Sequence, residues 1–213
     1  SCYISNRTKL QNYVMPLYVY IDGMDDLANT LNFSGFGATE DGRKENLGPD
    51  FRANIDTHYG ESFSPERVFG YVYAVLHAPT YRETYAEFLR IDFPRIPLCE
   101  TATDFRGLAD RGWELVQAHL LRQVPDRGLG ALLGRGDNAV RKIRYDIENQ
   151  RVWINASQYL EPIPSNVWEF QIGGYQVISK YLKDRKGRAL TLDEMTNLEN
   201  VANVLAFTDE RME

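Results

Sequence analysis

The sequence contains no uninterrupted apolar stretch approaching the ~18 residues that a membrane-spanning helix requires, and no charged-then-apolar leader opens it. Neither a membrane partner nor export is expected. Cysteine is scarce: Cys2 and Cys99 match no zinc or redox spacing, and are expected as reduced thiols in a cytoplasmic protein. His58, His77 and His119 each stand without a second His or Cys at ligand distance, so packed or helix-end imidazoles are expected and no metal site. Gly-x-Ser-x-Gly, a phosphate loop and the Asn-Pro-Pro-aromatic motif of amino-methyltransferases are all missing. Together these gaps remove self-contained catalysis. An initiator Met is missing too; SCYISNRTKL runs straight into YVMPLYVYI, as expected of a piece cut from a longer polypeptide.

What is present is enough for a folded core: 213 residues, 43% hydrophobic and 12% aromatic. A net charge of -6 argues against indiscriminate nucleic-acid binding, whose affinity comes from phosphate neutralisation. The charge is uneven, however. Lys180 to Arg188 (KYLKDRKGR) holds five positive side chains and one negative, and Arg135 to Arg151 five positive and three negative, which leaves room for a basic patch.

Pattern predicts an α+β domain with short antiparallel strands and about five helices. Tyr13 to Ile21 reads as a strand with Pro16 at an edge or bulge, and Asp22 to Glu61 as a Gly-rich loop with one helix near Asn46 to Ile55. Ser64-Pro65-Glu66 starts a helix to about His77, Tyr81 to Ile91 forms a second, and Ala102 to Leu121 a third. Asp92 to Leu98 (DFPRIPL) cannot be helical, because Pro94 and Pro97 remove amide donors. After a Gly-rich connection over Arg122 to Asn138, strands are expected at Ala139 to Tyr145, Arg151 to Asn155 and Val167 to Ile172. Gly173-Gly174 then turns into a helix from Tyr175 to Lys183, and Thr191-x-x-Glu194 is a capping box for the last helix, to about Phe207. The two parts, 1–121 and 139–213, are expected to pack as one unit.

Gly128-Leu129-Gly130 with Gly134 resembles a partial dinucleotide fingerprint, but it follows a helix, its third glycine is one place late and no acidic partner follows; a flexible loop fits better. Asp184-Arg185-Lys186 has the order of a nuclease half-site, yet Asp184 falls at a helix end where such carboxylates seldom hold a metal. The run Lys180, Lys183, Arg185, Lys186 and Arg188 follows Gly173-Gly174-Tyr175-Gln176, where free amides at a helix start could meet a phosphate; a solvated helix end is the alternative. Tyr81 and Arg82 open a helix after Pro79 and could meet a phosphate or base edge, or Tyr81 could pack on the preceding helix.

Three blocks carry a family resemblance: PLYVY at Pro16 to Tyr20; Pro65-Glu66 with FGYVYAVLHAPTYR, YAEFL and DFPRIP from Phe69 to Pro97; and WEFQIGGYQVISKYLKDRKGRALT from Trp168 to Thr191. Over about Pro16 to Ala206 the chain resembles the C-terminal specificity region of Type ISP restriction-modification enzymes. More loosely, it is similar to the recognition subunits of Type I enzymes. The resemblance implies a target recognition module, non-catalytic by itself, that reads duplex DNA. Its partners would be the methyltransferase and helicase domains of one polypeptide that also carries a nuclease and uses S-adenosylmethionine, ATP and Mg2+. An interdomain docking module, with bases read elsewhere, is the alternative.

Base-reading residues differ between members because their targets differ. Readout is therefore expected in the least family-like segment, from Asn29, Asn32, Arg43, Lys44, Asn46, Arg52 and Asn54, where Arg can pair with guanine and Asn with adenine. Lys183, Arg185, Lys186 and Arg188, with Tyr175 and Arg82, would hold phosphates, or the basic residues would dock the methyltransferase.

Overall fold

A computed structural model describes residues 16–20 and 43–212. In chain order its strands are β1 (Tyr18–Tyr20), β2 (Arg43–Glu45), β3 (Ala131–Gly134), β4 (Arg144–Asp146), β5 (Arg151–Trp153), β6 (Gln158–Glu161), β7 (Gln171–Ile172) and β8 (Tyr175–Gln176). Its helices are α1 (Pro49–Tyr59), α2 (Pro65–His77), α3 (Pro79–Thr84), α4 (Ala102–His119), α5 (Ser165–Glu169), α6 (Val177–Lys183) and α7 (Leu192–Met212), with a 3-10 turn at Phe88–Arg90. This mixture is α+β, with all strand pairs antiparallel. The described chain divides into two compact units, one of residues up to Leu76 with Ile91–Trp113, the other of His77–Arg90 and Glu114 onward.

In the first unit β1 pairs with β2, Tyr18 opposite Glu45. Pro49 starts α1 because its missing N–H would have had no helical partner, and Gly60 ends it at φ 69, a left-handed cap that glycine adopts without strain. The helix is therefore displaced from its expected place at Asn46 to Ile55 to Pro49–Tyr59. The core is aromatic: Tyr71 stacks on Phe105 at 4.4 Å and 19°, with Phe63 on the same ring at 4.4 Å. Gly70 of α2 and Gly112 of α4 let two backbones touch; a Cβ on Gly112 would sit 1.9 Å from Gly70 O. The Tyr71 hydroxyl donates to Pro97 O at 2.6 Å and accepts from Cys99 N–H at 3.1 Å. It thereby pins the proline-bearing segment, whose own amides cannot form a ladder.

In the second unit the sheet order is β3-β6-β5-β4. Alternation puts Tyr145, Val152, Leu160 and Leu132 in register on one face, which packs with Ile178, Leu182, Leu198 and Ala202 into one core. Burying each large aliphatic side chain here contributes ~1.5–3 kcal/mol. The capping box forms: Glu194 N–H donates to Thr191 Oγ1 at 3.2 Å, and Thr191 N–H to Glu194 Oε2 at 3.1 Å.

Further expectations change, and the connection expected over Arg122 to Asn138 contains strand β3. Val167 to Ile172 is not one strand: Ser165–Glu169 is helical, which turns Val167 into the core at 1% exposure, and only Gln171–Ile172 is extended. Tyr175 does not begin a helix but pairs opposite Ile172, with Gly173 and Gly174 at φ 59 and 81 between them. The helix expected at Tyr81 to Ile91 stops at Thr84, and Phe88 and Ile91 are 67% and 81% exposed. Of Ala139 to Tyr145 only the end joins the sheet, because its start pairs elsewhere, as the site below shows.

Candidate nucleic-acid interface

Beyond α6 the chain turns at Gly187, φ 90, and runs antiparallel to residues 138–140. Gly187 N–H donates to Val140 O at 2.8 Å, Val140 N–H to Arg188 O at 3.0 Å and Leu190 N–H to Asn138 O at 2.9 Å. A buried amide network fixes the other side of this ribbon. Gln158 Nε2 donates to Asn138 Oδ1 at 2.7 Å, Asn138 N–H to Gln158 Oε1 at 2.8 Å, and Asn155 Nδ2 to Ala139 O at 3.0 Å. The two basic runs, far apart in sequence, are thereby laid side by side.

Within the strip the cations divide. Arg188 grips both Glu194 oxygens at 2.8 and 2.6 Å, and Arg185 donates to Glu194 at 2.8 Å while lying 3.6 Å above the Tyr181 ring. Arg188 first, then the Thr191 amide and Arg185, hold the Glu194 carboxyl well below the usual carboxylate range. Arg141 pairs bidentately with Asp137, and Lys180 with Asp184. Lys142, Lys183 and Lys186 are exposed and make no ion pair among the described residues. Arg82 is exposed on α3, outside the strip's hydrogen bonds, and Tyr175 stands 59% exposed on β8. No glycine-led helix start underlies this region: Gly173 and Gly174 belong to the hairpin turn, and Val177 N–H donates to Phe170 O at 3.2 Å.

The outer sheet face adds a row that sequence reading overlooked. Arg144, Trp153, Tyr159 and Leu133 are in register across four strands. Arg144 lies 5.4 Å over the Trp153 ring, Trp153 is 4.7 Å from Tyr159, and Arg151 lies 4.6 Å over Tyr159. The signal was the alternation in Arg144-Tyr145-Asp146 and Arg151-Val152-Trp153, read only for its apolar half.

Of the expected base readers, Arg43, Lys44, Asn46, Arg52 and Asn54 sit in the first unit. Asn29 and Asn32 lie outside the described residues. Arg52 donates to Glu45 through Nε at 3.0 Å and to Phe63 O at 2.6 Å, and is largely covered. Asn46 Nδ2 donates to Pro16 O at 2.9 Å, tying the segment before β1 to the one after β2. Arg43 lies 4.7 Å over the Tyr18 ring and, like Lys44, is half-buried in β2. Asn54 is exposed on α1, lining a shallow groove of about 480 Å³ with Asp50, Thr57 and His58.

Two sequence suggestions find structural uses. Asn203 of α7 accepts from Arg127 N–H at 2.6 Å and donates to Leu129 O at 3.2 Å, while a Cβ on Gly130 would meet Ala202 at 3.1 Å, so the Gly128–Gly130 run is a packed loop. Asp184 is engaged by Lys180, and no group of three or more metal-ligating side chains occurs among the described residues.

The family model of the Type ISP C-terminal specificity domain matches residues 2–213. The chain belongs to this family. Solved structures similar to this Type ISP specificity domain include a DrdV–DNA complex studied by cryo-EM (24% identity, TM-score 0.62, covering 83% of this chain and 20% of that one). A nuclease-deletion mutant of the Type ISP restriction-modification enzyme LlaGI with a DNA substrate mimic matches at 22% identity, TM-score 0.59, over 80% of this chain and 14% of that one. The ATP-dependent Type ISP restriction-modification enzyme LlaBIII bound to DNA matches at 19%, TM-score 0.61, over 80% and 12%. At these identities the likeness is one of fold. The chain thus spans a fifth or less of the length of each of these proteins. Comparison with curated proteins found no match. No described helix is long and apolar enough to cross a membrane.

Proposed function

We propose that this specificity domain is a DNA target recognition module, reading a duplex site for a linked adenine N6-methyltransferase and an ATP-dependent restriction nuclease. The observation that carries the reading is the basic strip: Lys142, Lys183 and Lys186, in the segments that flank the backbone-bonded ribbon, are exposed and make no ion pair among the described residues, in a chain of net charge -6. Lysine ammonium groups with no carboxylate beside them suit phosphate oxygens. The first unit's Arg43, Lys44, Asn46, Arg52 and Asn54, with Asn29 and Asn32, are the proposed base readers. Of these, Asn54 is exposed and Arg52 holds structure as well. S-adenosylmethionine, ATP and Mg2+ are proposed to act in other domains of the longer enzyme, and the chain itself is proposed to catalyse nothing.

The test is a salt titration of duplex binding by the chain and its Lys142→Ala/Lys183→Ala/Lys186→Ala variant. Each lost phosphate contact is expected to flatten the slope of log K against log salt by about one. An unchanged slope and affinity would remove the strip from the DNA-binding account and favour a docking role.

A further inference from the structure

The β7–β8 hairpin presents an apolar tip directly before the basic run of an acidic chain. Ile172 and Tyr175 lie directly opposite one another, hence on one face, and are 61% and 59% exposed. Between them Gly173 and Gly174 both have positive φ, the conformation of a tight two-residue turn whose twist suits the flanking strands. A Cβ built on either glycine meets nothing within 4 Å among the described residues, so the turn is open to a Cβ on either side. Its root is firm. Phe170 and Val177, one step behind the hairpin, pack against the second unit's core and are joined by the Val177 N–H to Phe170 O bond. Ile178 and Leu182 of the helix that follows are fully buried.

Two large apolar side chains left mostly in water contribute little to folding. The surroundings indicate what they would meet. From Phe170 to Arg188 the chain carries five cationic side chains and one carboxylate, and Lys183 and Lys186 have no protein partner among the described residues. A run of that charge, following directly on the hairpin in the chain, would draw phosphates to this part of the second unit. The groove between two phosphate rows is a place where an aliphatic and an aromatic side chain can leave water, against sugar and base faces.

We propose that this hairpin is a groove-entering finger, in which Ile172 and the ring of Tyr175 insert between base pairs or against the groove floor while the lysines hold the backbone. This rests on the DNA-binding function proposed above. It differs from a phosphate contact by the Tyr175 hydroxyl, because the insertion uses the ring.

The experiment measures binding of the chain to a fluorescent pool of short random-sequence duplexes, as a function of salt, for wild type, Ile172→Ala/Tyr175→Ala and Tyr175→Phe. Thermal unfolding checks that the folds are equal. The double variant is expected to lose at least about tenfold in affinity, the scale of one lost base–side-chain stack, with the salt slope unchanged. Tyr175→Phe is expected to bind as wild type does. Wild-type affinity in the double variant, with wild-type DNA binding intact, would overturn the finger alone and leave the tip to a protein partner. A flattened slope, or a Tyr175→Phe loss equal to that of the double variant, would make Tyr175 a phosphate contact and overturn insertion. Absence of duplex binding by the wild type would instead overturn the function on which the proposal rests.

Discussion

In the first unit Arg52 closes on Glu45 and Phe63 O, Arg106 on Glu61 and Arg67 on Asp110, so these guanidinium groups are joined to carboxylates of the same unit. In the second unit Arg185 and Arg188 are likewise paired, with Glu194, and Arg141 with Asp137, but Arg135, Arg144, Lys142, Lys183 and Lys186 make no ion pair among the described residues. Arginine's planar fork suits bidentate geometry and fixes backbone; lysine's compact charge on a flexible stem suits a phosphate that arrives later. Position along the chain separates these roles less well than the presence or absence of a carboxylate partner.

The largest effect that would break this contrast is structural. Gly112→Ala puts a methyl group into Gly70 O, and is expected to destabilise the first unit by about 3 kcal/mol or more in denaturant unfolding. Gly107→Ala in the same helix meets nothing within 4 Å and is expected to be neutral or stabilising by ~0.5–1 kcal/mol. Equal effects would show that α2 and α4 do not cross at these glycines. Next, Arg52→Ala strands Glu45 and Phe63 O and is expected to cost about 2 kcal/mol, while leaving the salt slope of DNA binding unaltered. A slope change would move Arg52 to the phosphate-contacting class.

A pH titration sharpens the second unit. His119 Nε2 must donate to Thr208 Oγ1 at 2.8 Å, because Thr208 gives its own proton to Val204 O at 2.7 Å. Burial, and then His77, lowers its pKa from 6.5 to about 4. The unfolded chain therefore binds the extra proton first, and stability should fall as pH drops from about 6.5 towards 4, by up to ~2 kcal/mol after allowing for partial solvation of the ring. His119→Gln should flatten that slope. The smallest change is at Glu194: Glu194→Gln keeps the capping box but discharges the partner of Arg185 and Arg188, and should steepen the salt dependence of DNA binding by up to about one unit.

Local chemistry was readable in the sequence where a single residue dictates geometry. Ser64 accepts from Arg67 N–H at 3.3 Å at the start of α2, and Thr191 with Glu194 caps α7. Family blocks were readable too, because each runs over many residues in a fixed order. Tertiary demands were not. Val167 has strand propensity, yet it fills a core position from a helical turn, and Phe88 follows a helical pattern that stops short of it. For the site, the two basic runs were visible and their adjacency was not: the ribbon joining 138–140 to 187–190 depends on Gln158 and Asn155 reaching back to Asn138 and Ala139. No local pattern encodes such a pairing.

The claim that Lys142, Lys183 and Lys186 of the second unit meet phosphates is tested most directly by chemical footprinting, acetylating the chain with and without saturating duplex and reading each lysine by mass spectrometry. Lys142, Lys183 and Lys186 are expected to be protected by DNA several-fold. Unchanged reactivity at all three, with duplex demonstrably bound, would contradict the account.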